Sequence, residues 1–160
     1  MHPYNFYIMK KAYVPLITIL LGLTIGCKKE EAPAKTRPLF DANLTATITG
    51  AQQVPANPSP ASGTFEGVYD SKSMTLTYTV EYTGMTPNIA HIHEGAPGTT
   101  GGVVIPFRDL NTSSTGTSTI RGSYILKAED AEKLLYNGMY VNIHSKAYPQ
   151  GEIRGDIKVK

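Results

Sequence analysis

The sequence has one cysteine, no tryptophan and little excess charge, with 15 basic residues against 13 acidic ones. A single cysteine excludes an intrachain disulfide framework. Nucleic-acid-binding domains carry a surplus of clustered Lys and Arg, whereas residues 39–160 hold nine basic and eleven acidic residues. We therefore expect no nucleic acid among the partners. The length of 160 residues suits one domain with a substantial core.

No apolar run is long enough to cross a bilayer comfortably. The run from Val14 to Gly26 is short, follows Lys10 and Lys11, and ends in a small residue. This arrangement is typical of a secretory signal peptide, so we predict that residues 1–26 form one. Met9, directly before the two lysines, is an alternative start to Met1.

The one cysteine stands where the apolar run ends. Leu23-Thr24-Ile25-Gly26-Cys27 resembles the lipobox of bacterial lipoproteins, with Thr24 where lipoboxes usually carry Leu. The resemblance implies a lipid anchor at Cys27 and a place in the cell envelope, with the outer membrane favoured, on its periplasmic or surface face. The alternative is a free thiol in a leader.

Residues 27–38 are polar, charged and rich in proline, which predicts a flexible tether rather than part of a folded core. Lysines followed by acids after the cysteine also resemble signals that direct some lipoproteins to the outer face of the outer membrane. A plain solvated linker explains the same composition.

The rest of the chain, residues 39–160, alternates between apolar and polar residues with period two. Strands are predicted at residues 40–48, 64–69, 74–82, 89–93, 103–107, 116–126, 139–144 and 152–159. The turn Tyr69 to Ser73 predicts a hairpin between the second and third strands. One helix is predicted at Ala128 to Tyr136, because acids occupy its first turn and Asn137-Gly138 follows it. These elements favour an all-β Greek-key sandwich of about eight strands with one short helix.

Three stretches in this region resemble one family. They are GAQQVPANPSPASGTF at 50–65, AHIHEGAPGTTGGVVIPF at 90–107, and EDAEKLL followed by NGMYVNIHSKAYPQGEIRGDI up to Ile157. They look like the CHRD domain, which is repeated in chordin and found singly in bacterial secreted proteins. One departure is Gln53, where the family often carries Glu. The resemblance covers nearly the whole domain and implies a fold and an extracytoplasmic location more than a reaction.

Three of the four histidines lie in these motifs: His91, His93 and His144. Strand alternation directs His91 and His93 to one face, about 6.6 Å apart along the strand. The same rule puts Tyr140, Asn142 and His144 on one face of the strand 139–144, and Glu152 and Arg154 on one face of the last strand. If these strands are neighbours, the histidines share a polar sheet face whose other members are Glu94, Tyr140, Asn142, Glu152 and Arg154.

The first interpretation of the histidines is a metal site. Neutral imidazole is a common ligand of zinc and copper, and a His-x-His pair with a third His from another strand supplies three nitrogens. Copper-zinc superoxide dismutase is also a Greek-key sandwich with a His-x-His strand, and an architecture like that enzyme or like an immunoglobulin domain fits the strand pattern. Its standard site needs more histidines than this chain has.

The second interpretation is structural. Each ring would bond a neighbouring backbone carbonyl or Glu94, Glu152 or Asn142. General-base catalysis is a third alternative, but no Gly-x-Ser-x-Gly elbow, domain cysteine or carboxylate pair offers a partner, so no catalytic residue is predicted. Arg154 is expected to form a surface brace with Glu152 or Asp156.

These observations predict a cell-envelope lipoprotein whose CHRD-like domain is a non-enzymatic binding module for protein or glycan. The loop around Tyr148 and Pro149 offers a contact surface for such a ligand. The alternative is a copper- or zinc-binding protein that uses His91, His93 and His144.

Overall fold

The computed structural model describes Arg37, residues 39–108, Leu110 and residues 116–160. The predicted signal peptide, Cys27 and, apart from Arg37, the predicted tether lie outside the described residues. No helix in the described part of the chain is long and apolar enough to cross a membrane.

The described chain is mostly strand, which confirms the all-β prediction. The strands are β1 (Ala42–Thr49), β2 (Ser62–Asp70), β3 (Thr75–Thr83), β4 (Pro87–Glu94), β5 (Val103–Pro106), β6 (Ser118–Ile125), β7 (Met139–Ser145), β8 (Ile153–Asp156) and β9 (Lys158–Val159). A short 3-10 turn, Gly50–Gln52, follows β1, and one helix, α1 (Ala128–Leu135), precedes β7.

All strand pairs are antiparallel and join into one sheet in the order β5-β4-β7-β8-β1-β2-β3-β6, with β9 also paired to β1. Consecutive strands β1, β2 and β3 form a meander, whereas β4 pairs with β7 and β3 pairs with β6. Such non-consecutive neighbours are the crossovers of a Greek key. The sheet curls until it is nearly closed around one apolar core.

Each predicted strand is present within a few residues of its expected bounds. The predicted hairpin is also present, since β2 and β3 pair along their whole length. The last predicted strand is divided at Ile157, whose backbone N–H donates to Met139 while Leu44 and Thr45 of β1 pair with Val159 and Lys158. This division gives nine strands where about eight were expected.

The helix α1 closes one side of the core. Ala131, Leu134 and Leu135 are buried, and Glu129 and Asp130 lie in the first turn, where they favour the helix dipole. The helix ends as the sequence predicts: Asn137 adopts a left-handed φ of 62°, and the Gly138 N–H donates to the Lys133 carbonyl at 2.7 Å.

Strand β7 is buried on both faces, in contrast to β1 to β3, which alternate between buried and less buried residues. Met139, Val141 and Ile143 enter the apolar core. The opposite face of β7 carries Tyr140, Asn142 and His144, which are also buried. Segments outside the apolar core therefore cover the second face of β7. These segments help to position Tyr140, Asn142 and His144.

Candidate metal centre

The register between β4 and β7 brings the three histidines together. His91 pairs with Asn142, His93 with Tyr140, and Ile89 with His144. Directly opposed residues of an antiparallel pair share a face, so His144 lies diagonally across from His91 on the same side of the sheet. Ala90 and Ile92, between the two histidines of β4, are fully buried in the core.

The three rings form a compact cluster. Their centroids are 5.2 Å apart for His91 and His93, 5.4 Å for His91 and His144, and 6.2 Å for His93 and His144. One ring nitrogen from each residue can be chosen so that all three lie within 4.8 Å of one another.

Three ring nitrogens are buried and lack a hydrogen-bond partner: Nδ1 of His91, Nε2 of His93 and Nε2 of His144. Buried polar atoms in folded proteins are almost always paired, because an orphaned one costs free energy. Three such atoms on adjacent rings are therefore an exception that calls for a partner.

Backbone carbonyls orient two of the rings. Nδ1 of His93 lies 3.1 Å from the Gly101 carbonyl oxygen, and Nδ1 of His144 lies 3.0 Å from that of Pro149. A carbonyl can only accept, so each Nδ1 donates its proton and the lone pair of the neutral ring is on Nε2. A second hydrogen bond that fixes the tautomer in this way is the usual support of a metal-binding histidine.

His91 differs from His93 and His144, because none of the described residues forms a hydrogen bond with its ring. The structural interpretation expected each ring to bond a neighbouring backbone carbonyl or one of Glu94, Glu152 and Asn142. Two rings, those of His93 and His144, bond the backbone carbonyls of Gly101 and Pro149. None of the three named side chains bonds a histidine ring in the described part of the chain.

Burial favours the neutral form of His91 and of His144. It lowers the pKa of His91 from 6.5 to about 4, and the neighbouring His93 and His144 lower it further. Burial also lowers the pKa of His144, although its bond to Pro149 opposes this. Since a metal ion binds the unprotonated imidazole, both rings are available as ligands at neutral pH.

The predicted polar face exists, but it is not open to solvent. Tyr140, Asn142, Glu152 and Arg154 are all buried, with Asn142 at 5% and Arg154 at 1% exposure. Three segments cover them: the loop 95–102, the loop 146–151 and the residues 50–57. We call the four residues Tyr140, Asn142, Glu152 and Arg154 the covered polar face.

Arg154 was expected to form a surface brace, and this was wrong because its side chain is buried. Its guanidinium pairs with Asp156 at 2.8 Å and donates to the carbonyl oxygens of Thr99 at 2.6 Å and Ala96 at 3.4 Å. It also lies 3.6 Å from the centre of the Tyr140 ring, which stacks in turn on His93 at 5.1 Å. Arg154 thus fixes the loop 95–102 over the histidines.

The remaining residues of the predicted face have separate roles. Glu94 forms an ion pair with Lys133 of α1 and does not point at the histidines. Glu152 accepts a bond from the Ser59 hydroxyl at 2.7 Å, and Asn142 accepts one from the Gln53 amide at 2.6 Å. Gln53, where the family often carries Glu, is therefore used here as a buried hydrogen-bond donor.

Sequence reasoning missed the contribution of Gly101 and Pro149, because a carbonyl leaves no signal in the residue type. The glycine itself is a signal: a Cβ on Gly101 would lie 2.1 Å from the Glu94 carbonyl oxygen, so only glycine fits. In the same loop, Gly98 adopts a left-handed φ of 78°, which glycine tolerates without strain.

The arrangement suits a transition-metal ion better than catalysis. It offers three neutral nitrogens on rigid strands, two of them oriented by second hydrogen bonds, and no carboxylate among the described residues joins the cluster. Imidazole nitrogen is a ligand for zinc, copper, iron and nickel.

Comparison with known proteins supports the resemblance found in the sequence. The sequence model of the CHRD domain family matches residues 44–157, which includes every strand that carries the candidate site. A search of the curated proteins found no match to the chain.

Proposed function

The chain belongs to the CHRD domain family, and from this premise we propose that its domain is a metal-binding module in which His91, His93 and His144 hold a copper or zinc ion. The observation that carries the proposal is a cluster of three histidines that offer ring nitrogens within 4.8 Å of one another and that each carry one buried, unpaired ring nitrogen. Each orphaned atom costs about 1 to 3 kcal/mol. One bound ion would satisfy all three.

The distances are compatible with this proposal. Nitrogen ligands lie about 2.0 to 2.1 Å from zinc, so donors within 4.8 Å of one another need to close by only about 1 to 1.5 Å. The ring of His91, which no described hydrogen bond restrains, can move towards the other two, whereas His93 and His144, whose centroids are 6.2 Å apart, would have to approach each other while each keeps its bond to a carbonyl.

The unsupported ring also distinguishes a metal ligand from a structural histidine. Removing His93 or His144 would leave a carbonyl without its donor, whatever the function. Removing His91 breaks no hydrogen bond, so His91→Ala should leave the metal-free protein close to wild-type stability. If His91 is a ligand, the same substitution removes one of the three protein ligands of the ion.

The experiment measures bound metal in the full chain with a Cys27→Ser substitution, so that the one thiol cannot bind metal. We expect about one copper or zinc ion per chain after loading and dialysis, and loss of it in His91→Ala and His144→Ala. Ile89→Ala is the matched control, since Ile89 is on the same strand and is 45% exposed. Equal metal content in all four proteins would contradict the proposal.

We further propose that the domain is a cell-envelope lipoprotein anchored through Cys27. The support is the apolar run up to Gly26, the lipobox-like residues before Cys27 and the charged tether after it. We expect the chain to fractionate with the outer membrane and the Cys27→Ser chain to be soluble. Identical fractionation of both proteins would refute the anchor.

Binding of a protein or glycan remains a second candidate. Two clefts flank the loop 146–151: one of about 490 Å³ towards Gly84–Asn88, and one of about 290 Å³ towards Gln53–Asn57. Tyr148 contributes to the second cleft and is only partly exposed. NMR titration with a panel of soluble glycans should shift resonances in these clefts if glycan is the ligand. Unchanged spectra would leave metal binding as the better supported function.

A further inference from the structure

The three donors form a neutral site. Each is an imidazole, and the carboxylates that surround the covered polar face are engaged elsewhere: Glu94 with Lys133, Glu152 with Ser59, and Asp156 with Arg154. Arg154 does not add a net charge, because Asp156 balances it. A bound ion would therefore keep its full charge, with no anionic ligand from the described residues to compensate it.

The site is also shielded from water at the donor atoms. His91 and His93 are partly exposed as residues, but one ring nitrogen of each of the three histidines is buried and without a partner. The Born cost of transferring an ion from water to a low-dielectric medium grows with the square of its charge, so a divalent ion pays about four times the cost of a monovalent one.

The number of ligands that the site offers also favours a monovalent ion over a divalent one. Structural zinc is four-coordinate, and zinc with three protein ligands takes water as the fourth. Here three histidines each offer one nitrogen, no described carboxylate joins them, and each ring has one buried, unpaired nitrogen. Monovalent copper accepts three nitrogen ligands in a plane without a fourth.

We infer that the His91, His93 and His144 site selects monovalent copper over zinc and over divalent copper. This inference rests on the proposed metal-binding function and adds the identity and charge of the ion. It follows from the neutral donors, the shielded nitrogens and the number of ligands.

The test compares affinities in the full chain with Cys27→Ser. Monovalent copper is titrated anaerobically against a chromophoric copper chelator, and zinc and divalent copper are titrated against chelators suited to them. We expect monovalent copper to bind at least about 100-fold more tightly than zinc. Zinc or divalent copper binding as tightly as monovalent copper at the histidines would overturn the inference and leave the proposed function intact. No histidine-dependent binding of any ion would overturn both.

A matched pair of variants tests the charge argument directly. His91→Asp and His91→Asn have nearly the same shape, but only the first adds a negative charge to the donor set. We expect the preference for monovalent copper over zinc to be about 10-fold or more smaller in His91→Asp than in His91→Asn. Equal preferences in the two variants would show that charge does not govern selectivity. The wild-type comparison stands whether or not both variants fold.

Discussion

Tyr140 makes three contacts, two of which act on His93. Its ring stacks on His93 on one side and on the Arg154 guanidinium on the other, and its hydroxyl accepts the Gly101 N–H at 3.3 Å. The carbonyl of Gly101 in turn orients His93. At the scale of single residues, the candidate site therefore depends on side chains that would not touch the ion.

Tyr140→Phe separates these contacts, because it keeps both ring stacks and removes the hydroxyl. We expect the free energy of unfolding to fall by about 1 kcal/mol and metal affinity to fall by about 10-fold, as for the loss of other second-layer hydrogen bonds at metal sites. Chemical denaturation and chelator competition measure the two effects. Full affinity in Tyr140→Phe would mean that Gly101 holds His93 without help from the hydroxyl.

Arg154→Met should be much more harmful. It leaves Asp156 without its cation and the Thr99 and Ala96 carbonyls without their donor, in a place where the arginine is 1% exposed. Breaking a buried ion pair on one side costs about 3 to 5 kcal/mol. Arg121→Met, at an exposed position of β6, is the control and should change the free energy of unfolding little.

At the scale of elements, the candidate site consists of the neighbouring strands β4, β7 and β8 and the segments that close over them. The strands were predictable, because alternation in AHIHEG and MYVNIH fixes which residues share a face. The closure was not predictable from such patterns. It depends on contacts such as Gln53 to Asn142, 89 residues apart, and Arg154 to Ala96, 58 residues apart.

The same reason explains the wrong expectation for Arg154. The alternation of residues in β8 correctly assigns Arg154 and Ile153 to opposite faces of the sheet. It does not show whether the face of Arg154 is exposed to solvent or covered by a loop from a distant part of the chain. The three histidines of the candidate site were accessible from the sequence, whereas the carbonyls of Gly101 and Pro149 that orient two of them were not, since every residue has a backbone carbonyl.

Gly151 is where two of the covering segments meet. Its φ is +127°, and a Cβ there would lie 2.5 Å from Oδ1 of Asn142 and 2.6 Å from Nε2 of Gln53. Gly151→Ala should therefore strain the backbone and disrupt the Gln53 to Asn142 bond, with a loss of more than about 1 kcal/mol. Thermal or chemical unfolding measures it. Gly98→Ala is an instructive comparison, because that φ is also positive but the space around it is open.

At the scale of the whole molecule, the neutral histidines make the metal-free protein sensitive to acid. The pKa of His91 falls from the ordinary histidine value of 6.5, which applies in the unfolded chain, to about 4 in the folded protein. The pKa of His144 is also lowered by folding. Unfolding then takes up protons below pH 6.5, so stability is full above that pH and falls as the pH drops towards 4.

Urea unfolding of the metal-free protein at a series of pH values measures this dependence. We expect the midpoint to be constant above about pH 7 and to decrease between pH 6.5 and pH 4, with a smaller decrease in His91→Ala. A midpoint that rises on acidification through this range would contradict the lowered pKa values.

If the histidines bind an ion as proposed, the loop 95–102 would also affect the rate at which that ion is released. Arg154 holds this loop through the carbonyls of Ala96 and Thr99, and the same loop supplies the carbonyl that orients His93. An ion enclosed beneath it could leave only when the loop opens. Release to a competing chelator should then proceed at a rate that saturates with chelator concentration, at the opening rate of the loop. The residence time of the ion would be set by Arg154 more than by the histidines themselves.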